Sequence, residues 1–474
     1  MIFSSNIFVF LFLPLFLAVY YAVPGRARSL VIVVGSWTFY GWWRVDFLAL
    51  YAAVTVWTYV FGHRIAAAPD RERARLECIV GCVGSLMVLF YFKYWNFFTD
   101  SLIDVLGVSS PGGILTMQIV LPIGISFFVF ESVSYMMDIY RRDAPPARNF
   151  MDFAAFLALF PHLIAGPVMR YKDLSAQIVS RTHTLAKFNE GCVWFMVGFA
   201  KKVLIADSVA PLADALFALP DPTFAEAWLG AVAYSIQLYF DFSGYSEMAI
   251  GLGLMIGFRF IENFDRPYVS RSITEFWRRW HISLSQWLRD YLYVTLGGNR
   301  KGPVRTYVNL FLTMLLGGLW HGAAMTFVIW GAFHGAILAI ERLLGAKGGR
   351  SPWPAPLAWP LTMVLVIVGW VMFRAHDVGS AFEVYGAMAG LGGVAGISPE
   401  VAWRITGLEV SALVVAIAIV FVEPRGRRIL RAAVEIGRGP AAVGTARTAL
   451  VGLFALAVLK MSADSYSPFL YFQF

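Results

Sequence analysis

The sequence predicts an all-α, polytopic membrane protein, and three features carry that prediction. Hydrophobic residues make up 59% of the chain and charged residues 14%, with a mean hydropathy of +0.66. Soluble domains carry about 45–50% apolar and about 25% charged residues. The apolar residues fall in successive runs near membrane-crossing length, about 20 residues. Between those runs, basic loops alternate with loops that lack Lys and Arg, the positive-inside pattern.

The first run, 6–23, follows only Met-Ile-Phe-Ser-Ser-Asn, without a basic n-region or a small-residue cleavage site, and reads as a retained first helix. Runs at 29–43 and 46–62 come next. The loop 63–77 carries Arg64, Arg71, Arg73 and Arg75, whereas 99–113 carries no Lys or Arg. Arg141, Arg142 and Arg148 follow the run 117–137. This alternation places 63–77 and 139–149 in the cytoplasm and 99–114 outside. Residues 151–168 are apolar but contain Pro161, His162 and Gly166-Pro167. Such punctuation marks a broken or re-entrant segment, tolerated at membrane depth only when buried in protein or lining a cavity.

The runs 191–219 and 225–256 hold charges within them: Lys201-Lys202 in the first, Asp241 and Glu247 in the second. Residues 257–306 differ in character. Arg259, Arg266, Arg271, Arg278, Arg279, Arg289, Arg300 and Arg305 alternate there with Trp277, Trp280 and Trp287. That is the pattern of helices lying in the cytoplasmic interface or dipping into the bilayer. Runs at 307–320, 323–340, 357–373 and 408–422 follow, then a basic loop at 425–447 and a final run at 449–459. The total is roughly eleven transmembrane helices with re-entrant or interfacial pieces between them. No soluble domain and no internal repeat is visible.

The net charge of +8 belongs with the cytoplasmic loops and anionic headgroups of such a protein rather than with nucleic acid, which is not expected as a partner. Membrane lipids are. Of the three cysteines, Cys78 and Cys82 lie i, i+4 within an apolar run and read as small buried hydrophobes. No P-loop, dinucleotide fingerprint or nucleophile elbow is present.

Ionisable groups inside apolar runs are costly and so point to function. Among the seven histidines, His63, His183 and His376 lie in polar or loop contexts and read as solvated. His162, in the broken segment, fits either capping of a freed carbonyl or catalysis. His321 is the sharpest candidate, in Leu315-Leu-Gly-Gly-Leu-Trp-His-Gly322, where one apolar helix ends and another soon begins. Glycines on both sides let backbone or ligand approach closely. An imidazole there suits a general base for a hydroxyl nucleophile, and equally suits a histidine hydrogen-bonded within a helix break. His281, in Trp277-Arg-Arg-Trp-His-Ile-Ser-Leu-Ser285, shares one helical face with Trp277 and Ser285 by i, i+4 spacing. It reads as an orienting residue or as an interfacial histidine among arginines. His334 follows His321 by thirteen positions, which separates the two around a continuous helix, and no carboxylates or thiolates cluster near them. No metal site is expected. Asp241 and Ser243 fit helix-to-helix hydrogen bonds or a tunnel lining. Glu131 and Asp138 share one face and are similarly open.

Seven stretches together give the chain a specific resemblance. They are Leu121-Pro-Ile-Gly-Ile-Ser-Phe-Phe, Phe160-Pro-His-Leu-Ile-Ala-Gly-Pro, Phe240-Asp-Phe-Ser-Gly-Tyr-Ser, Glu262-Asn-Phe-Asp-Arg-Pro-Tyr, Glu275-Phe-Trp-Arg-Arg-Trp-His-Ile-Ser-Leu-Ser, Trp287-Leu-Arg-Asp-Tyr and Leu319-Trp-His-Gly. The chain resembles the membrane-bound O-acyltransferase family nearly end to end, most strongly from about residue 115 to 342. The resemblance implies a single domain, 1–474: N-terminal helices 1–114, a catalytic core 115–342 and C-terminal helices 343–474, with a tunnel through the bilayer. It maps the catalytic histidine onto His321 and a second functional position onto His281. It also implies acetyl-CoA as donor substrate with no bound cofactor, an exported polysaccharide as acceptor, periplasmic partner proteins and a bacterial inner-membrane location. Competing readings take another cell-envelope glycan as acceptor (cellulose, peptidoglycan or teichoic acid), or make the chain a scaffold subunit with structural histidines. The Arg-rich segment would then meet donor phosphates at the cytoplasmic mouth, with Arg278, Arg279 and Trp280 as the donor-side set. A transporter that moves an acyl carrier without bond chemistry shares the many spans. The paired broken helices of its internal repeats would mark it, and the sequence has no such repeat.

Overall fold

The computed structural model describes residues 1–107, 118–164, 166–346, 351–393, 396–434 and 440–463. Among these residues the secondary structure is helical throughout, with no strands. The helices form two compact units: residues 1–188 with 253–260, and residues 189–252 with 261–474.

In the first unit, a π-helical turn at Phe8–Phe12 leads into α1 (Leu13–Ala22), followed by α2 (Arg28–Gly41) and α3 (Asp46–Ala66). The sequence-predicted basic loop at 63–77 is shorter than expected. α4 (Arg71–Leu89) starts at Arg71 because the Asp70 side chain caps it, accepting from the Arg73 amide at 2.7 Å. α4 continues through a π-helical turn at Phe90–Tyr94 into α5 (Trp95–Leu106). Residues 99–106 of the expected outer loop are therefore helical, and 108–113 lie outside the described residues. α6 (Ile125–Arg141) packs with α3 and α4. Next, α7 (Phe150–Ala158) is capped by Asn149 and lies along α2.

The broken segment expected at 151–168 is present. Leu159 leaves helical geometry at ψ 100° before the short, fully buried α8 (Phe160–Leu163). The Phe160 amide freed by the break donates to Ser36 Oγ at 3.1 Å. His162 Nδ1 meets the Glu131 carboxylate at 2.6 Å, both with no exposure, so two of the buried groups singled out in the sequence pair with each other, while His162 Nε2 and Glu131 Oε2 have no hydrogen-bond partner among the described residues. α9 (Tyr171–Val179) closes this part of the chain.

In the second unit, α10 (Leu185–Ala200, from residue 189 onward) passes through a π-helical turn at Lys201–Ala206 into α11 (Asp207–Phe217). α12 (Phe224–Met255) crosses α10 closely: a Cβ on Gly244 would lie 2.7 Å from the Gly198 carbonyl. The lysines that interrupt this apolar run pair with the charges of α12. Lys201 meets Glu247 at 2.7 Å, and buried Lys202 meets Asp241 at 2.9 Å and also Asp207. Short helices α13 (Ile273–Arg279) and α14 (Ile282–Trp287) and a π-helical turn, Leu288–Tyr293, occupy the Arg/Trp-rich stretch. α15 (Pro303–His321) and α16 (Met325–Leu343) form a tight hairpin. The unit ends with α17 (Ala355–Arg374), α18 (Val378–Met388), α19 (Pro399–Arg404), α20 (Gly407–Val434) and α21 (Pro440–Ala463).

Three helical stretches are long and apolar enough to cross a bilayer: Arg71–Ile103, Met325–Leu343 and Ala355–Arg374. Phe8–Ala22 and Gly407–Val422 are apolar but shorter. Among the described residues this falls short of the roughly eleven spans expected from the apolar runs. Several of those runs are cut by π-turns or caps, or carry paired internal charges.

The α15–α16 hairpin depends on bare backbone contact. A Cβ on Gly331 would lie 2.5 Å from the Met314 carbonyl, and one on Gly318 would lie 2.3 Å from the Phe327 carbonyl. Gly331→Ala is expected to destabilise the protein by about 1–3 kcal/mol through overpacking. Gly452→Ala, on α21 with nothing within 4 Å, is expected to be neutral or stabilising. Thermal unfolding of the two variants in detergent checks the contrast.

Candidate active site

His321 is the last residue of α15, and Gly322 then turns the chain with extended geometry at φ −154°. A Cβ on Gly322 would sit 2.1 Å from a Phe327 ring carbon, so the residue after the histidine must be glycine for α16 to fold back. The imidazole is walled by rings: Trp320 at 4.9 Å, Trp330 at 5.2 Å and Phe373 at 5.3 Å between centroids. His281 lies 6.4 Å away on the same scale. The two histidines named from sequence thus come together, although forty residues separate them. His281 is fully buried, whereas His321 keeps 9% exposure. Of the pair, His321 is the less deeply buried.

His281 is held differently from the sequence expectation. Trp277, His281 and Ser285 do not share a helical face, because α13 stops at Arg279 and His281 takes a left-handed backbone, φ 46°. Such a conformation costs a non-glycine residue and persists only when its surroundings hold it. Asn263 holds it. Its backbone carbonyl accepts from the Ile282 amide at 2.9 Å. Its side-chain Oδ1 accepts from the Ser283 amide at 3.1 Å and the Ser283 hydroxyl at 2.9 Å. Because a backbone amide donates to it, that side-chain atom is the oxygen, and the His281 Nδ1 facing it at 3.1 Å must donate as well. The tautomer follows: in the neutral ring, Nδ1 carries the hydrogen and Nε2 is the acceptor. Phe242 packs edge-on against the ring at 4.7 Å.

The other residues sort by their contacts. Trp277 points away from His281 and donates its indole N–H to His334 Nδ1 at 3.4 Å. Trp280 is 2% exposed and stacks on Phe276 at 5.5 Å and against Trp370 at 4.9 Å. Arg279 is bound to Glu275 at 2.8 Å and to the Asp265 carbonyl at 3.1 Å. Arg278 is exposed. On the far side of Asn263, a cavity of about 10 Å³ is bordered by Trp194, Ser243, Ser246, Glu247 and Glu262, room for about one water. No group of three or more His, Cys, Asp or Glu that could hold a metal occurs among the described residues. Sequence reasoning missed Asn263, Trp330 and Phe373. Asn263 stood inside the Glu262-Asn-Phe-Asp-Arg-Pro-Tyr stretch, and an amide eighteen positions before His281 was the available signal.

A sequence profile of the MBOAT, membrane-bound O-acyltransferase, family matches residues 142–347, the stretch that contains both histidines. The probable alginate O-acetylase of Pseudomonas putida is 54% identical over 488 aligned residues, with 100% of each chain covered. This chain belongs to the membrane-bound O-acyltransferase family. It is an O-acyltransferase of that membrane family, as its resemblance implied. The probable alginate O-acetylase of Azotobacter vinelandii is likewise 54% identical across the whole of both chains. The peptidoglycan O-acetyltransferase of Helicobacter pylori is 35% identical over 83% of this chain and 81% of its own.

Asn263→Ala strands three donors around His281, and unsatisfied buried donors cost about 1–3 kcal/mol each. The variant is expected to melt lower in detergent and to lose acyl transfer. Asn263→Asp, which keeps the acceptor, should recover most of the stability. Parallel melting curves and transfer assays check both.

Proposed function

We propose that this acyltransferase passes acetyl from cytoplasmic acetyl-CoA across the bacterial inner membrane for O-acetylation of an exported polysaccharide, alginate. The observation that carries the reading is the full-length 54% identity to the probable alginate O-acetylase of P. putida. The geometry around His321 supplies a matching chemistry. Residues 1–474 act as one domain of roughly eleven spanning and re-entrant helices around a tunnel. Acetyl-CoA is polyanionic and stays on the cytoplasmic side, and the polymer is assembled outside, so the reacting groups meet within the membrane-embedded protein.

In this mechanism His321 is the general base. Its ring nitrogen removes the proton from an acceptor hydroxyl as the oxygen attacks the thioester carbonyl. The C–S bond breaks, the ester forms, and the proton held on His321 passes to the departing thiolate, so the imidazole ends neutral. His281, fixed in one tautomer by Asn263, orients the site. The aromatic walls of Trp320, Trp330 and Phe373 keep water from competing for the acetyl group. On the donor side, exposed Arg278 faces phosphate groups, while Arg279 and Trp280 hold the turn that presents it. Periplasmic partner proteins complete transfer to the polymer. A second reading, peptidoglycan as acceptor, draws on the 35% identity to the H. pylori enzyme.

Labelled acetyl transfer from acetyl-CoA by purified protein in nanodiscs, with partner proteins present, tests the proposal. His321→Ala is expected to lose about 10²-fold or more of the rate while keeping its helical content, with label appearing on alginate oligomers rather than on peptidoglycan fragments. A folded His321→Ala that transfers as fast as wild type would remove His321 from the chemistry. Label appearing on peptidoglycan alone would favour the second reading.

A further inference from the structure

A second polar site lies in the first unit, remote in sequence from both histidines of the candidate active site. Four pieces of chain converge there: Tyr20 and Tyr21 at the end of α1, Arg28 at the start of α2, Arg181, His183 and Lys187 around the α9–α10 connection, and the turn at 255–258. Arg28 Nη1 lies 3.1 Å from His183 Nδ1, which must accept from it. His183 Nε2 lies 3.0 Å from the Tyr20 hydroxyl, which donates to the Ile256 carbonyl at 2.8 Å. The imidazole is thus neutral, its Nε2–H donating to Tyr20. Burial, followed by Arg28 and Arg181, holds His183 below its ordinary range, in keeping with that role. Lys187 Nζ donates to the Gly257 carbonyl at 2.6 Å.

The charges of the two arginines are left over. Among the described residues, neither Arg28 nor Arg181 has a carboxylate within ion-pair distance. Arg28 Nε and Arg181 Nη1 are buried donors without a partner. The nearest acid that acts on Arg181, Asp152, is engaged by Ser29 Oγ at 3.1 Å, and Arg181 Nη2 donates to that same hydroxyl at 3.0 Å. The tyrosine faces lie against Arg28 at 5.3 and 5.6 Å, and Phe258 lies 5.2 Å from Arg181. Guanidiniums with open donors, set among aromatic rings, match the bidentate geometry of a phosphate.

The surroundings indicate which phosphate. Exposed apolar side chains flank the cluster: Leu15 and Val19 on α1, Leu30 and Val34 on α2, and Leu185 at 76% exposure on α10. The Ser29–Asp152 bond also ties the start of α2 to the start of α7, directly after the basic loop 139–149 that the charge pattern assigns to the cytoplasm. An occupant with one anionic phosphate and hydrocarbon tails satisfies both the arginines and the apolar flanks.

We propose that Arg28 and Arg181, with Tyr20, His183 and Lys187 around them, form a binding site for the phosphate of an anionic phospholipid of the cytoplasmic leaflet. Basic pockets between helices on that face are suited to such headgroups. The site anchors the α1–α2 connection to the α9–α10 connection through a shared anion.

Native mass spectrometry of the detergent-purified full chain tests this, using phosphatidylglycerol, phosphatidylcholine, inorganic phosphate and acetyl-CoA as separate probes. Wild type is expected to retain phosphatidylglycerol over phosphatidylcholine. Arg28→Gln/Arg181→Gln should retain about 10-fold less of it, the loss of charge-assisted hydrogen bonds, and should bind acetyl-CoA as wild type does. Arg28→Lys/Arg181→Lys keeps the charge without the fork and should fall between them, with unchanged helical content as the folding control. Equal phosphatidylglycerol retention by wild type and the Gln variant overturns the proposal. So does a Gln variant that keeps the lipid but loses acetyl-CoA or inorganic phosphate, because the arginines would then serve a soluble phosphate.

Discussion

In a chain this apolar, every break in a helix frees backbone groups that no solvent will satisfy, so each break must be closed by the protein itself. The break at Trp280–His281 is the one on which the candidate site depends. Asn263 closes it with a backbone carbonyl and a side-chain oxygen that together receive Ile282, Ser283 and His281. One amide thereby holds a left-handed histidine, starts α14 and sets a tautomer. The break at the end of α15 uses other means: Gly318, Gly322 and Gly331 let two helices meet backbone to backbone, leaving His321 at the corner.

The same accounting separates buried groups paired with each other from the candidate base. His162 and Glu131 close on each other, and Lys202 is set between Asp207 and Asp241. Removing one member of such a buried pair would strand the other, which explains their presence without assigning them chemistry. His321 has a different environment, with aromatic rings on several sides and His281 beyond them.

Positive charge is likewise uneven in meaning. Arg279 is consumed by Glu275 on its own helix and by Asp265, fourteen residues earlier. Arg64 and Arg73 share Glu77. Arg28 and Arg181 have aromatic faces and a neutral imidazole instead of acids. A net charge of +8 thus divides into arginines that hold the fold and arginines whose fields remain available to anions.

The all-helical class, the broken segment near Pro161 and the helix end at Trp-His-Gly were legible because composition, proline and glycine act locally on the backbone. Of the roughly eleven spans read from the apolar runs, three match a described helix that is long and apolar enough to cross a bilayer. Apolar runs do not reveal where a cap such as Asp70 or a π-turn such as Lys201–Ala206 shortens a helix. The i, i+4 pairing of Trp277 with His281 failed because spacing assumes a continuous helix, and the Asn263 anchor that interrupts it comes from eighteen residues earlier. His183 read as solvated, yet Tyr20 and Arg28, more than 150 positions away, bind it. The sequence by itself determined the all-helical class and which residues are candidates for chemistry, since both depend on residue type and near neighbours. Only the tertiary structure decided that His281 comes beside His321, that Trp280 belongs to the core and that, among the described residues, no carboxylate lies within ion-pair distance of Arg28 or Arg181. Those outcomes depend on which distant segments meet, and no local pattern encodes that meeting.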